Sequence, residues 1–197
     1  MNLPNRLTVF RIALIPLILL IYLFPYAQFG LEPMIFTIGT VRISVINIAC
    51  LILYLIAVIL SFVGARIADT RNLQTTFGTF AEPVAEKAMS AAMLILFTSR
   101  GLISPVPVIL ITVREIFVDG CHLIAYGNGK MLSEGTLGTA GRISTMITVA
   151  LILLNNLPFE LWELPVSEMM LWFAAFVSLV GGISCYNEMR EDILESK

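Results

Sequence analysis

Glu82 and Glu86 stand four residues apart in an apolar stretch, "TFAEPVAEKAMSAAMLILF". On a helix, residues at that spacing lie on one face about a turn apart, so the two carboxylates point the same way. Such a pair suits joint coordination of a divalent cation, or one metal ligand beside a general base. The plainer alternative makes Glu86, or Glu115 further on, half of an ion pair with Lys87 or Arg114 that holds helices together. A second charged group, Arg114, Glu115 and Asp119, sits in another apolar stretch. Arg114 and Asp119 are five apart, share a face poorly and reach different partners. Ionisable groups in apolar helices are costly and usually face a bundle interior or a wet cavity. The one histidine, His122, lies near a predicted helix end and reads as a packing or interfacial residue. Cys50, Cys121 and Cys185 lie in or beside apolar segments without metal-ligand spacing, which marks small buried thiols.

The elements that carry these groups belong in a membrane. Of 197 residues, 58% are hydrophobic and 13% charged, and the mean hydropathy is +0.91. A soluble domain of this length needs more polar surface. The net charge of -2 gives no case for nucleic-acid binding. Stretches near the roughly 20 apolar residues of a spanning helix run from Val9 to Ala27, Ile43 to Ala68, Thr79 to Phe97, Ser104 to Tyr126, Ile143 to Asn155 and Val166 to Tyr186. The fifth is short and is expected to start nearer Gly138. No small-x-small cleavage site follows the first, which reads as a retained helix. Ahead of it "NLPNRLTVFR" is expected to lie along the interface as an amphipathic turn or two. The expected fold class is therefore all-α integral membrane, with six transmembrane helices, a short N-terminal interfacial segment, and one domain over residues 1–197.

Arg6, Arg11, Arg66, Arg71, Lys130, Arg142, Arg190 and Lys197 fall on one side of such a bundle, and Arg42 and Arg100 on the other. The last loop of that other side carries Glu160, Glu163 and Glu168. That asymmetry predicts cytoplasmic termini and a cytoplasmic Gly64–Thr79 connection. Gly181–Gly182, with Gly120 and Gly138, permits close helix contact.

The motifs, taken in order, resemble a known family. "LPNRLTVFRIALIP" is similar to the P-N-x-L-T-x-x-R-x(4)-P pattern of CDP-alcohol phosphatidyltransferases. "GARIADTRNLQTTFGTFAEPVAEKA" resembles their signature, D-x-x-D-G-x-x-A-R-x(8)-G-x(3)-D-x(3)-D, and "REIFVDG" and "GRIST" resemble R-E-x-x-V-T-G and G-K-x-K-T. The resemblance runs from about Pro4 to Thr145 and points to the bacterial phosphatidylglycerophosphate-synthase branch. It implies a six-helix, usually homodimeric protein of the bacterial cell (plasma) membrane. Such a protein transfers a phosphatidyl group from CDP-diacylglycerol to an alcohol such as glycerol 3-phosphate and releases CMP. The signature acids hold Mg²⁺ or Mn²⁺ against the pyrophosphate, and the last acid is the base that deprotonates the acceptor hydroxyl. Cations are needed there because a dianionic pyrophosphate resists attack until it is neutralised.

Laid on that signature, the chain departs where the chemistry sits. Ala68 and Gly78 align with the signature's Ala and second Gly. The first two acids then fall on Ser61 and Gly64, the first Gly on Ala65 and the Arg on Asp69. The third and fourth acids become Glu82 and Glu86. On the acceptor side Arg114 and Glu115 remain. His122 stands where an Arg is expected, and Arg142 and Ser144 replace the two Lys. The resemblance thus implies Glu86 as base and Glu82, Glu86 and Asp69 as metal ligands. It puts Arg114 and Arg142 at the acceptor phosphate, and Pro4, Asn5, Thr8 and Gly78 at the nucleotide. Asp69 points about 80° from position 61 and about 140° from position 64 on a straight helix. Glu in place of Asp adds a methylene in a site that tolerates little misplacement. The expected protein is a family member by architecture that is impaired in chemistry. A second reading makes it a non-catalytic relative that binds lipid or nucleotide, or pairs as a heterodimer with an active homologue. A third, a transporter using the embedded charges, has the motif order against it.

Overall fold

The structure is a computed structural model that describes residues 2–71, 73, 75–127 and 135–195, with side chains described as far as residue 188 except at 126 and 127. Lys130 and Lys197, counted above in the charge asymmetry, lie outside the described residues, as does the side chain of Arg190. Among the described residues there are six α-helices: α1 (Leu3–Leu23), α2 (Val45–Thr70), α3 (Thr76–Ser99), α4 (Pro105–Gly127), α5 (Thr136–Leu153) and α6 (Val166–Glu195). By length and composition, α1, α2, α5 and α6 as far as Glu188 could cross a membrane. The helices that carry the embedded charges, α3 and α4, are long enough, but each carries three charged residues and neither is among these four.

The N-terminal segment differs from expectation. No separate interfacial turn precedes the first span, because "NLPNRLTVFR" runs straight into α1. Pro4 sits in the first helical turn, where its missing N–H costs nothing and its fixed φ favours a helix. At the other end Pro25 disfavours helical backbone at Phe24, and α1 stops at Leu23, short of Ala27. Next comes a small hairpin, where the sequence predicts only loop and the start of a helix. Strands β1 (Ile35–Ile38) and β2 (Val41–Ser44) pair antiparallel, Ile38 opposite Val41. Gly39 makes the turn at φ 62°, a left-handed conformation that favours glycine. Alternation in β2 is plain, with Val41 and Ile43 buried and Arg42 exposed. Ser44 then caps α2, its Oγ accepting from the Ile46 N–H at 3.2 Å.

Two compact units make up the chain: residues 1–97 with 149–166, and residues 98–148 with 167–197. In the first, α1 packs along α2. Buried positions recur every three or four residues on both helices: Pro4, Thr8, Arg11, Leu14 and Ile18 on α1, and Cys50, Tyr54, Ala57, Ser61 and Gly64 on α2. In the second, α4 buries Val108, Ile111, Arg114, Val118, Cys121 and Ala125 at the same period. The outward faces are also apolar: Leu20, Phe80, Ile116 and Phe176 are each about two-thirds exposed or more. Helices apolar all round, yet with one polar-studded buried stripe, are what lipid outside and a functional seam inside require.

Candidate functional site

In the first unit, the residues assigned to the nucleotide end converge. Pro4, Asn5 and Thr8 occupy one buried face of α1. The loop before α3 meets that face. Thr75 Oγ1 donates to Asn5 Oδ1 at 3.0 Å and accepts the Gly78 N–H at 3.0 Å, capping α3. Asn2 Nδ2 donates to the Leu73 carbonyl at 2.8 Å. A Cβ on Gly78 would stand 2.9 Å from Asn5 Oδ1, so the close approach of α1 to α3 requires glycine there. Thr8 Oγ1 donates to its own helix, to the Pro4 carbonyl at 3.1 Å. Thr75 was missed in the sequence reading. A threonine immediately before a helical run, three residues ahead of Gly78, was the available signal.

The charged seam lies deeper along the same helices. Glu86 is buried and Glu82 half-buried on α3. Facing them is Arg11 of α1, only 4% exposed. Its Nη2 donates to the Glu82 carbonyl at 3.4 Å, and its charge acts on both carboxylates. Tyr54 of α2, almost wholly buried, also lies within the electrostatic reach of Glu86. Arg11 and Tyr54 were not singled out from sequence. Arg11 was legible as the Arg of the N-terminal pattern, whereas Tyr54 looked like one more aromatic in an apolar run.

The acids do not gather into a ligand set. Ser61 and Gly64 sit on the buried stripe of α2 and offer a hydroxyl and a hydrogen. Asp69 is exposed in the last turn of that helix. No group of three His, Cys, Asp or Glu among the described residues is placed to hold a metal ion. Gly64 is not a steric necessity: a Cβ there would meet only Leu7, at 3.9 Å and beyond.

In the second unit Arg114 is nine-tenths buried on α4, and its Nε finds no hydrogen-bond partner among the described residues. Gly181 and Gly182 of α6 make the room for it. A Cβ at 182 would fall 2.9 Å from Arg114 Cγ, and one at 181 would fall 3.2 Å from Arg114 Nη2. Arg114 and His122 line a polar cavity of about 140 Å³ at the start of α5. Arg142, half-buried on α5, is not among the residues lining that cavity. The two arginines assigned to the acceptor phosphate are therefore not brought together there. Glu115 is half-buried and Asp119 exposed.

A lipid-facing helical protein with this seam and these motifs has relatives. The family profile described as CDP-alcohol phosphatidyltransferase matches residues 1–180, and the chain belongs to that family. A Bacillus subtilis protein named CDP-diacylglycerol–glycerol-3-phosphate 3-phosphatidyltransferase is 36% identical over 195 residues, covering 99% of this chain and 98% of the relative. Proteins of the same name from Rickettsia bellii and Salmonella choleraesuis are 27% and 23% identical, each covering at least 96% of both chains. The family uses divalent metal. The donors present here do not fit a two-metal clamp. The two α2 positions carry no carboxylate, Asp69 faces outward, and Glu82 and Glu86 already face a buried arginine.

Proposed function

We propose that this protein is a membrane-embedded CDP-diacylglycerol-binding member of its family that turns the lipid over poorly or not at all. One observation carries the reading: the α1–α3 junction is built to close tolerance while the α2 positions beside it lack acids. Binding would place the cytidine end against Pro4, Asn5, Thr8 and Gly78, with the pyrophosphate toward Arg11. An arginine offers a fixed fork of donors for phosphate oxygens and, unlike a metal pair, does not depend on ligands from α2. Without carboxylates at 61 and 64, nothing from α2 holds the cations that would neutralise the leaving CMP. If an acceptor hydroxyl attacks at all, Glu86 would be the residue that takes its proton. We take the chain to be a single six-span domain with cytoplasmic termini, working as a homodimer or beside an active homologue.

CMP release tests the reading directly. Purified protein in detergent receives CDP-diacylglycerol, glycerol 3-phosphate and Mg²⁺ or Mn²⁺, alongside the Bacillus subtilis relative and the Glu86→Gln variant. The expected rate lies at least a thousandfold below the relative's, with CDP-diacylglycerol binding retained. Metal-dependent release at a comparable rate, abolished in Glu86→Gln, would establish a working Glu-based site and sink the proposal.

A further inference from the structure

The second unit holds two cavities of opposite character that meet at one side chain. The polar one, about 140 Å³, is bounded by Arg114, His122, Ser184, Glu188 and the first residues of α5, Thr136 to Gly138. The other is a groove of about 520 Å³ between α4 and α6. Its walls are Ile109, Val113, Phe117, Ile183 and Tyr186, and Arg114 is part of the same lining. Arg114 thus lines both.

The glycine pair makes that possible. The point where a Gly181 Cβ would stand is 3.1 Å from the Gly138 N and 3.2 Å from Arg114 Nη2. A guanidinium and the N-terminus of an 18-residue helix therefore converge on one spot. Helix N-termini carry N–H groups without intrahelical partners and the positive end of the dipole, which suits an anion. The second, independent sign is Arg114 itself, nine-tenths buried with an Nε that nothing among the described residues accepts from. A buried charged donor of that kind calls for a partner.

We propose that the paired cavities hold one anionic glycerophospholipid, its phosphodiester against Arg114 and the start of α5 and one acyl chain along the α4–α6 groove. A free phosphate would leave the groove empty, and a zwitterionic lipid would set its own cation beside Arg114. Glu188 lines the same polar cavity. One arginine and a helix end set against one carboxylate match a singly charged phosphodiester better than a doubly charged phosphate monoester. The site lies entirely within the second unit and uses the arginine that the family resemblance assigns to the acceptor phosphate.

The test is native mass spectrometry of the delipidated full-length protein in neutral detergent, titrated with phosphatidylglycerol, phosphatidylcholine or inorganic phosphate. One phosphatidylglycerol should stay bound at least tenfold more tightly than phosphatidylcholine. Arg114→Gln should erase that preference, and Arg114→Lys should keep part of it. Ile183→Trp, which fills the groove from an exposed position, should weaken phosphatidylglycerol at least tenfold. Equal retention of the two lipids, a preference that survives Arg114→Gln, or indifference to Ile183→Trp would overturn the proposal. So would displacement of the lipid by equimolar inorganic phosphate, which would make this a soluble-anion site. CDP-diacylglycerol binding, followed by CMP competition in the same samples, reports separately on the first unit.

Discussion

Gly78→Ala puts the α1–α3 junction under a measurable load. The new Cβ would lie 2.9 Å from Asn5 Oδ1 and 3.3 Å from Thr75 Oγ1, and those two atoms are hydrogen-bonded to each other at 3.0 Å. Something must shift. Asn5 is buried on a helix and Thr75 caps α3, so neither is the far end of a flexible chain. Overpacking of this kind costs roughly 1–3 kcal/mol, and losing the Asn5–Thr75 bond costs about 1 kcal/mol more. Alanine returns roughly 0.5–1 kcal/mol of helix preference. The balance is a loss of roughly 1–3 kcal/mol. Gly120→Ala is the matched control, because nothing lies within 4 Å of its Cβ position and only the helix gain applies. Thermal unfolding in detergent, followed by intrinsic fluorescence, should place Gly78→Ala several degrees below the parent and Gly120→Ala at or above it. CDP-diacylglycerol binding should fall at least fivefold in Gly78→Ala alone. If Gly78→Ala melts with the parent and binds as well, Asn5 yields freely and the junction is not the rigid cradle described.

Other perturbations separate the remaining claims. Arg11→Met removes the buried cation facing Glu82 and Glu86 and should cost roughly 3 kcal/mol in thermal or chemical denaturation; Arg11→Met/Glu86→Gln should recover more than half of it. Ser61→Asp/Gly64→Asp should create Mn²⁺ binding detectable by electron paramagnetic resonance, and its melting temperature should rise on adding Mn²⁺ while the parent's does not. Gly182→Ala should force Arg114 aside, since the Cβ would fall 2.9 Å from Arg114 Cγ, and should lower phosphatidylglycerol retention while CDP-lipid binding holds.

Helix identities were legible because apolar runs and proline punctuation are local. α6 starts at the expected Val166, whereas α1 begins at Leu3 rather than Val9 and stops at Leu23 rather than Ala27. The hairpin was not legible, because four-residue strands beside a long apolar helix give too short an alternation to stand out. At the site, the Glu82–Glu86 pair could be read from its spacing. Its partners could not: Arg11 lies 71 residues from Glu82 in sequence, and only the fold opposes them. The glycine pair was read as a contact device. That it opens a passage for Arg114 depends on which α4 residue comes opposite, a register that sequence does not state.

On the proposed reading, serine at 61 and glycine at 64 have a consistent energetic sense. Both positions lie on the buried stripe of α2. Carboxylates there would be expensive without cations to pair them, because a desolvated charge recovers its hydration loss only through close partners. Serine and glycine remove that cost outright. The acids that remain sit on α3, where Arg11 offers them a permanent counter-charge that a dissociable metal does not. On the proposed reading, Arg11 offsets part of the charge of Glu82 and Glu86 without metal. On this view Ser61→Asp/Gly64→Asp should be less stable than the parent without metal and should close the gap with it. Closing α1 onto α3 depends on Asn5, Thr75 and Gly78, and none of those contacts involves positions 61 and 64.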